Sequence, residues 1–191
     1  MIVPHSRSVS ESILQWPLSA LDFEAASLDD DSYPIEIGIA RWKAPDAPIE
    51  VWSTLIRPPE DWRSRRWSHR SQEVHGIRRE ELEEGMNPVN ALARANSLIG
   101  RMVFCDGGQS DLRWLGGLED AAGRDATFLL RDADALGSVL HARRWRRMAR
   151  WLDRAKPRHR AGPDAERLLR ALAVALNRTY GNSVVIPARG E

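Results

Sequence analysis

The first pattern in this chain that can do chemistry is Asp22-Phe23-Glu24. On a strand, residues i and i+2 point to one face. Asp22 and Glu24 would then stand side by side, with Phe23 turned the other way into a core. Adjacent carboxylates repel and raise each other's pKa, and a divalent cation removes that penalty. Taken alone, an Asp-x-Glu is more often a solvated pair near a strand end. Asp111 falls in the first turn of an expected helix, after the strand-like run Arg101–Cys105 and the break Asp106-Gly107-Gly108. An acid there commonly serves as a cap or dipole partner. His159 lies in a loop before a helix, and Asp164 lies in that helix's first turn. Such an imidazole can take a proton from water beside a metal-holding carboxylate. Considered alone, a surface histidine and a helix-dipole aspartate is the commoner arrangement.

The order of these pieces says more than any one of them. Asp-x-Glu on a first strand, a mid-chain Asp opening a helix, and His-x4-Asp opening a late helix resemble the DEDDh, or DnaQ-like, 3′→5′ exonucleases. That group includes polymerase proofreading subunits, oligoribonuclease and RNase T. Asp22 and Glu24 match the first motif; Asp111, followed by Leu112-Arg113-Trp114-Leu115, matches the second; His159 and Asp164 match the third. Val74-His75-Gly76-Ile77 is similar to the His-Gly-Ile segment between the first two motifs. The resemblance runs from about Leu21 to Ala175. Two departures stand out. Ala25-Ala26-Ser27-Leu28 replaces the Thr-Gly pair of many members, and Cys105-Asp106 replaces their His-Asn, which makes Asp106 a rival to Asp111.

The resemblance implies a ribonuclease H-like α/β fold, a mixed five-stranded sheet flanked by helices. It implies metal-dependent hydrolysis of phosphodiester bonds from the 3′ end of single-stranded DNA or RNA. Two divalent cations would serve, Mg²⁺ or Mn²⁺, since hard oxygen ligands disfavour zinc. Asp22, Glu24 and Asp164 would hold one, Asp22 would bridge to the second with Asp111, and His159 would be general base. Substrate contacts would fall to Phe23, Ala25, His75, Arg158 and Arg160. Two alternatives stay open: a phosphodiesterase acting on very short oligonucleotides, and a nucleic-acid-binding module without turnover. Homodimers occur in the group, so a homodimer is also open.

The elements that must position these residues follow from periodicity. Residues 1–15 are polar and Ser-rich, the pattern of a loose arm, and residues 16–185 form one expected domain. After the Asp-x-Glu strand, Ile35, Ile37 and Ile39 alternate with Glu36, Gly38 and Ala40, which predicts a second strand. Val51–Ile56 predicts a third, joined to the second through a proline-containing turn at 44–48. The basic, aromatic stretch Asp61–Gln72 reads as a loop, where Trp62 or Trp67 can stack on an unpaired base or pack beneath the loop. Helices are expected from Asn87-Pro88 to about Ile99, from Gln109 to Leu118, over 133–153, and from Pro163 to about Tyr180 with Gly181 past its end. Short strands are expected at 101–105 and 127–130.

Composition sets the outer bounds. The 191 residues suffice for one domain with a sizeable core, and 42% hydrophobic content excludes wholesale disorder. No apolar run reaches the ~18 residues of a membrane span. Residues 1–16 lack an apolar signal core, so the expected location is cytoplasmic. The single cysteine, Cys105, cannot form an internal disulfide and belongs to no zinc-like cluster. The net charge of +1 hides a division. Residues 1–61 hold 11 acids and four bases, whereas residues 141–170 hold 11 bases and three acids. An acidic first third suits a cation, and a basic later segment suits phosphates.

Overall fold

The structure, a computed structural model, describes residues 14–188. The expected arm therefore lies, for residues 1–13, outside the described residues. Leu14 packs against the edge of the core. Strands β1 (Leu18–Ala25), β2 (Pro34–Trp42) and β3 (Pro48–Leu55) form the expected antiparallel meander. β4 (Met102–Cys105) lies parallel to β1, and β5 (Leu129–Asp132) lies parallel to β4. A sixth strand, β6 (Gly181–Val185), extends the five expected by pairing parallel to β3, which gives the order β5-β4-β1-β2-β3-β6. Gly181 thus opens a strand rather than merely following a helix.

Two apolar layers sandwich this sheet. On one face Leu21, Phe23, Ile35, Ile37 and Ile39 pack against α3 (Pro88–Leu98) and α4 (Gln109–Ala122). On the other, Leu18, Ala20, Ala40 and Trp42 pack against α6 (Ala142–Arg154) and α7 (Ala161–Leu176). The period-2 alternation of β1 assigns Asp22 and Glu24 to the α7 face, in line with Leu18 and Ala20. Glycine lets α7 come close: a Cβ on Gly38 would sit 2.0 Å from the Ala161 carbonyl carbon. Gly38 is the register partner of Asp22, so the N-terminus of α7 presses on the sheet beside the carboxylate pair.

Three local expectations change. Segment 61–72 is largely helical, with short α1 (Glu60–Arg63) and α2 (His69–His75), because Ser68 caps α2 by accepting the Ser71 N–H. The single helix over 133–153 is a 3-10 turn at Ala133–Ala135, a short α5 (Leu136–Val139), and α6. Buried Leu140 turns extended between them and His141 caps α6. The last helix starts two residues before Pro163 and ends at Leu176, where Asn177 takes the left-handed conformation at φ 54°.

Candidate active site

β1 and the start of α7 create the centre. Carboxylate oxygens of Asp22, Glu24 and Asp164 lie within 4.8 Å of one another. Asp164 also fastens the loop ahead of it: its Oδ1 accepts the Arg158 N–H at 2.8 Å, and its Oδ2 accepts the His159 N–H at 2.7 Å. The loop closes tightly, with His159 at φ 54°. That left-handed conformation is uncommon outside glycine, and its cost is tolerated here by the two bonds to Asp164. The fastening leaves the His159 side chain exposed at the mouth of the site.

Asp111 arrives from the other side, on the first turn of α4. A Cβ on Gly107 would lie 2.5 Å from Asp111 Oδ2, and Gly108 has φ 57°, so this glycine pair lets α4 start hard against β4. The Gly107 N–H donates to Asp111 Oδ2 at 2.9 Å, while buried Oδ1 has no hydrogen-bond partner. Buried polar atoms are nearly always paired, so an orphaned carboxylate oxygen here suits a cation ligand. The rival, Asp106, is already engaged: Arg167 Nη1 donates to its Oδ2 at 3.0 Å.

The electrostatics agree. Burial raises the Asp22 carboxyl well above its usual range, and the charges of Asp111 and Glu24 raise it further. Glu24 is pushed up to about 8, first by burial and then by Glu36 and Asp164. Asp111 is pushed up to about 7 by burial, against the lowering effect of the Gly107 N–H. Carboxylates raised this far are unfavourable anions without a counter-charge. The donors are all hard carboxylate oxygens, a set that fits Mg²⁺ or Mn²⁺.

One organising residue was not singled out by sequence. Glu36 is 2% exposed on β2, opposite Glu24 in register. It accepts Arg160 Nε at 3.0 Å, Arg160 Nη2 at 2.9 Å and the Ala161 N–H at 2.9 Å. The guanidinium of Arg160, expected on substrate, is thus bound bidentately to Glu36 and anchors the loop to the sheet. The available signal was the face of β2 opposite its isoleucines, where Glu36 precedes the small residues Gly38 and Ala40 that admit a helix. Arg158 is exposed on the same loop.

A cleft of about 570 Å³ opens beside the carboxylates and His159. Phe23, Ala25, His75 and Trp114 line it with only a few per cent of their surface exposed, and Leu28, Val74, Arg66 and Arg70 stand more openly at its rim. His75 ends α2, with Gly76 beyond it at φ 71°. Its Nδ1 accepts the Ile77 N–H at 3.0 Å, so the ring proton resides on Nε2, which is buried without a partner. Burial, then the Arg160 and His159 charges, lower His75 to about 4 and keep it neutral. Of the stacking candidates, Trp62 is 2% exposed and stacked on Tyr33, which removes it from any base. Trp67 is half-buried and donates to Gln72 at 2.7 Å.

No family model and no curated protein sequence matches the chain. Solved structures do. A 3′-exonuclease, from work on 3′-end-specific recognition of a histone mRNA stem-loop, superposes with a TM-score of 0.61 at 11% identity, over 84% of this chain and 63% of that one. A full-length 3′-exonuclease gives 0.55 at 12% identity, over 85% and 62%. Cell-death related nuclease 4 gives 0.54 at 15% identity, over 84% and 63%. The chain spans less than two thirds of the length of each. The likeness shows the fold: a mixed six-stranded sheet flanked by helices, the ribonuclease H-like architecture of 3′-exonucleases.

Proposed function

We propose that this protein is a metal-dependent 3′→5′ exonuclease acting on single-stranded DNA or RNA. The observation that carries the reading is the convergence of Asp22, Glu24 and Asp164 within 4.8 Å, with the orphaned Asp111 oxygen nearby, on the fold of 3′-exonucleases. Asp22, Glu24 and Asp164 are the residues that would hold one Mg²⁺ or Mn²⁺, and Asp22 with Asp111 a second. Such a pair of ions would supply stabilisation of both the attacking and the leaving oxygen.

The chain's own groups account for the rest. His159 is the general base: its imidazole is exposed at the mouth of the site, and its backbone is held by Asp164. The Glu36–Arg160 pair fixes that loop, so the base and the Asp164 carboxylate keep their relation to β1. The terminal nucleotide enters the cleft, with its base between the apolar rim residues Leu28 and Val74 and its floor formed by Phe23, Ala25 and neutral His75. Leu28 closes the segment Ala25-Ala26-Ser27-Leu28, which stands where many members of that group carry Thr-Gly. Arg66, Arg70 and Arg158 supply positive charge around the site.

A gel assay with 5′-labelled single-stranded DNA and RNA, run with Mg²⁺, Mn²⁺ or EDTA, tests the reading. A metal-dependent ladder that shortens from the 3′ end and vanishes in Asp22→Ala is expected, and it also identifies the preferred sugar. Intact substrate under every metal rules the exonuclease reading out.

A further inference from the structure

α6 carries five arginines on one stripe: Arg143, Arg146, Arg147, Arg150 and Arg154. At 100° per residue they fall within about 100° of arc, opposite buried Met148. All five are exposed, and Asp153 is the only acid in the helix. Among the described residues, the ion pairs in this half of the chain involve Arg113, Arg160, Arg167 and Arg170 and none of these five. Like charges at i, i+4 spacing destabilise a helix, and the partners of the stripe are neutral: Arg147 donates to Asn177 Oδ1 at 3.3 Å and Arg150 to the Arg146 carbonyl at 3.3 Å.

The stripe also has a fixed place. Arg167 on α7 donates to the Ala155 carbonyl and, at 3.0 Å, to the Leu152 carbonyl, while its Nη1 holds Asp106. One guanidinium therefore ties the C-terminal end of α6 to the acidic centre, and the arginine stripe runs from there toward Arg143. From Arg143 to Arg154 it covers about 16 Å, close to five steps of one duplex strand at ~3.4 Å each. No aromatic interrupts it, since Trp145 and Trp151 are half-buried against the core. Single-strand tracks combine cations with stacking aromatics, whereas a duplex offers backbone alone.

We infer that α6 grips the phosphate backbone of a double-stranded arm of the substrate while its single-stranded 3′ end occupies the cleft. This rests on the exonuclease reading for the identity of the cleft's occupant. The arm adds affinity that depends on duplex and salt but not on sequence.

Equilibrium binding to the full chain, in EDTA so that nothing is cleaved, tests it on a hairpin bearing a 3′ overhang and on the overhang strand alone. The wild type binds the hairpin more tightly. R143E/R146E/R150E weakens hairpin binding on the order of a hundredfold near 0.1 M salt, and flattens the log–log salt slope by about 2.7, three phosphates at ~0.9 each. R143Q/R146Q/R150Q, a gentler change on an exposed face, gives a smaller loss in the same direction. Hairpin affinity unchanged in both variants overturns the inference, as does equal loss on hairpin and single strand. The two readings fail separately. Hairpin binding lost in the variant without any Mg²⁺-dependent ladder in the wild type keeps the grip and removes the exonuclease; a ladder with unchanged hairpin affinity does the reverse.

Discussion

His159 and Asp164 act as a unit, because the carboxylate that faces Asp22 and Glu24 also holds the histidine's backbone in place. Removing only the imidazole leaves that fastening intact. His159→Ala is expected to keep the wild-type melting temperature and to lose ~10²–10⁴ in turnover, the usual contribution of one proton-transfer group; single-turnover cleavage rates check it. Glu36→Gln probes the anchor instead. An amide offers one acceptor oxygen to three donors and turns its own NH₂ toward Arg160. A stability loss of about 1–3 kcal/mol is expected, with weaker cleavage as the loop loosens; denaturant melts and rates read together check both. Stability and cleavage both at wild-type level would contradict the anchoring role.

α7 delivers Asp164 only because β2 has no side chain at Gly38. A methyl group there would meet backbone at 2.0 Å, which cannot yield as a flexible side chain would. Gly38→Ala is expected to destabilise by about 1–3 kcal/mol, the usual cost of overpacking, and to impair cleavage more than Ala is expected to at half-buried Gly116, where a Cβ meets nothing within 4 Å. Thermal melts and activity of the two variants decide it. Much of this arrangement could be read from the chain itself. The alternation of β1 placed Asp22 and Glu24 on one face, and Asn87-Pro88 marked the start of α3. Other features depend on partners distant in sequence. β6 is short and mostly exposed, and becomes a strand by pairing with β3. The apolar marks over 133–153 suit one helix, yet burying Leu140 bends the chain there. Glu36 looks like the solvated half of an alternating strand until Arg160, 124 residues later, meets it.

The whole molecule separates charge, with acids gathered where the sheet meets α7 and bases along α6. Among the described residues no helix is long and apolar enough to cross a membrane. Concentrating buried acids in one place has a cost that depends on pH. Glu24 and Asp111 have folded-state pKa values raised to about 8 and about 7. The native protein therefore binds more protons than the unfolded chain between about pH 4 and pH 8, and stability falls as pH rises through that window. In EDTA, the melting temperature is expected to be higher at pH 5 than at pH 8, by at least ~2–4 °C, the effect of about 1 kcal/mol in a chain of this size. Saturating Mn²⁺ at pH 8 is expected to recover the difference. A metal-free melt that rises from pH 5 to pH 8 would contradict the electrostatics of the site.

The most direct test of a four-carboxylate cation centre is calorimetric titration of Mn²⁺ at pH 8 into the wild type and into Asp22→Asn, which removes the one ligand assigned to both ions. The wild type is expected to bind with release of protons, since raised carboxylates must deprotonate to coordinate, and Asp22→Asn is expected to lose that binding while remaining folded. Identical isotherms for the two proteins, or no binding to the wild type, would contradict the account.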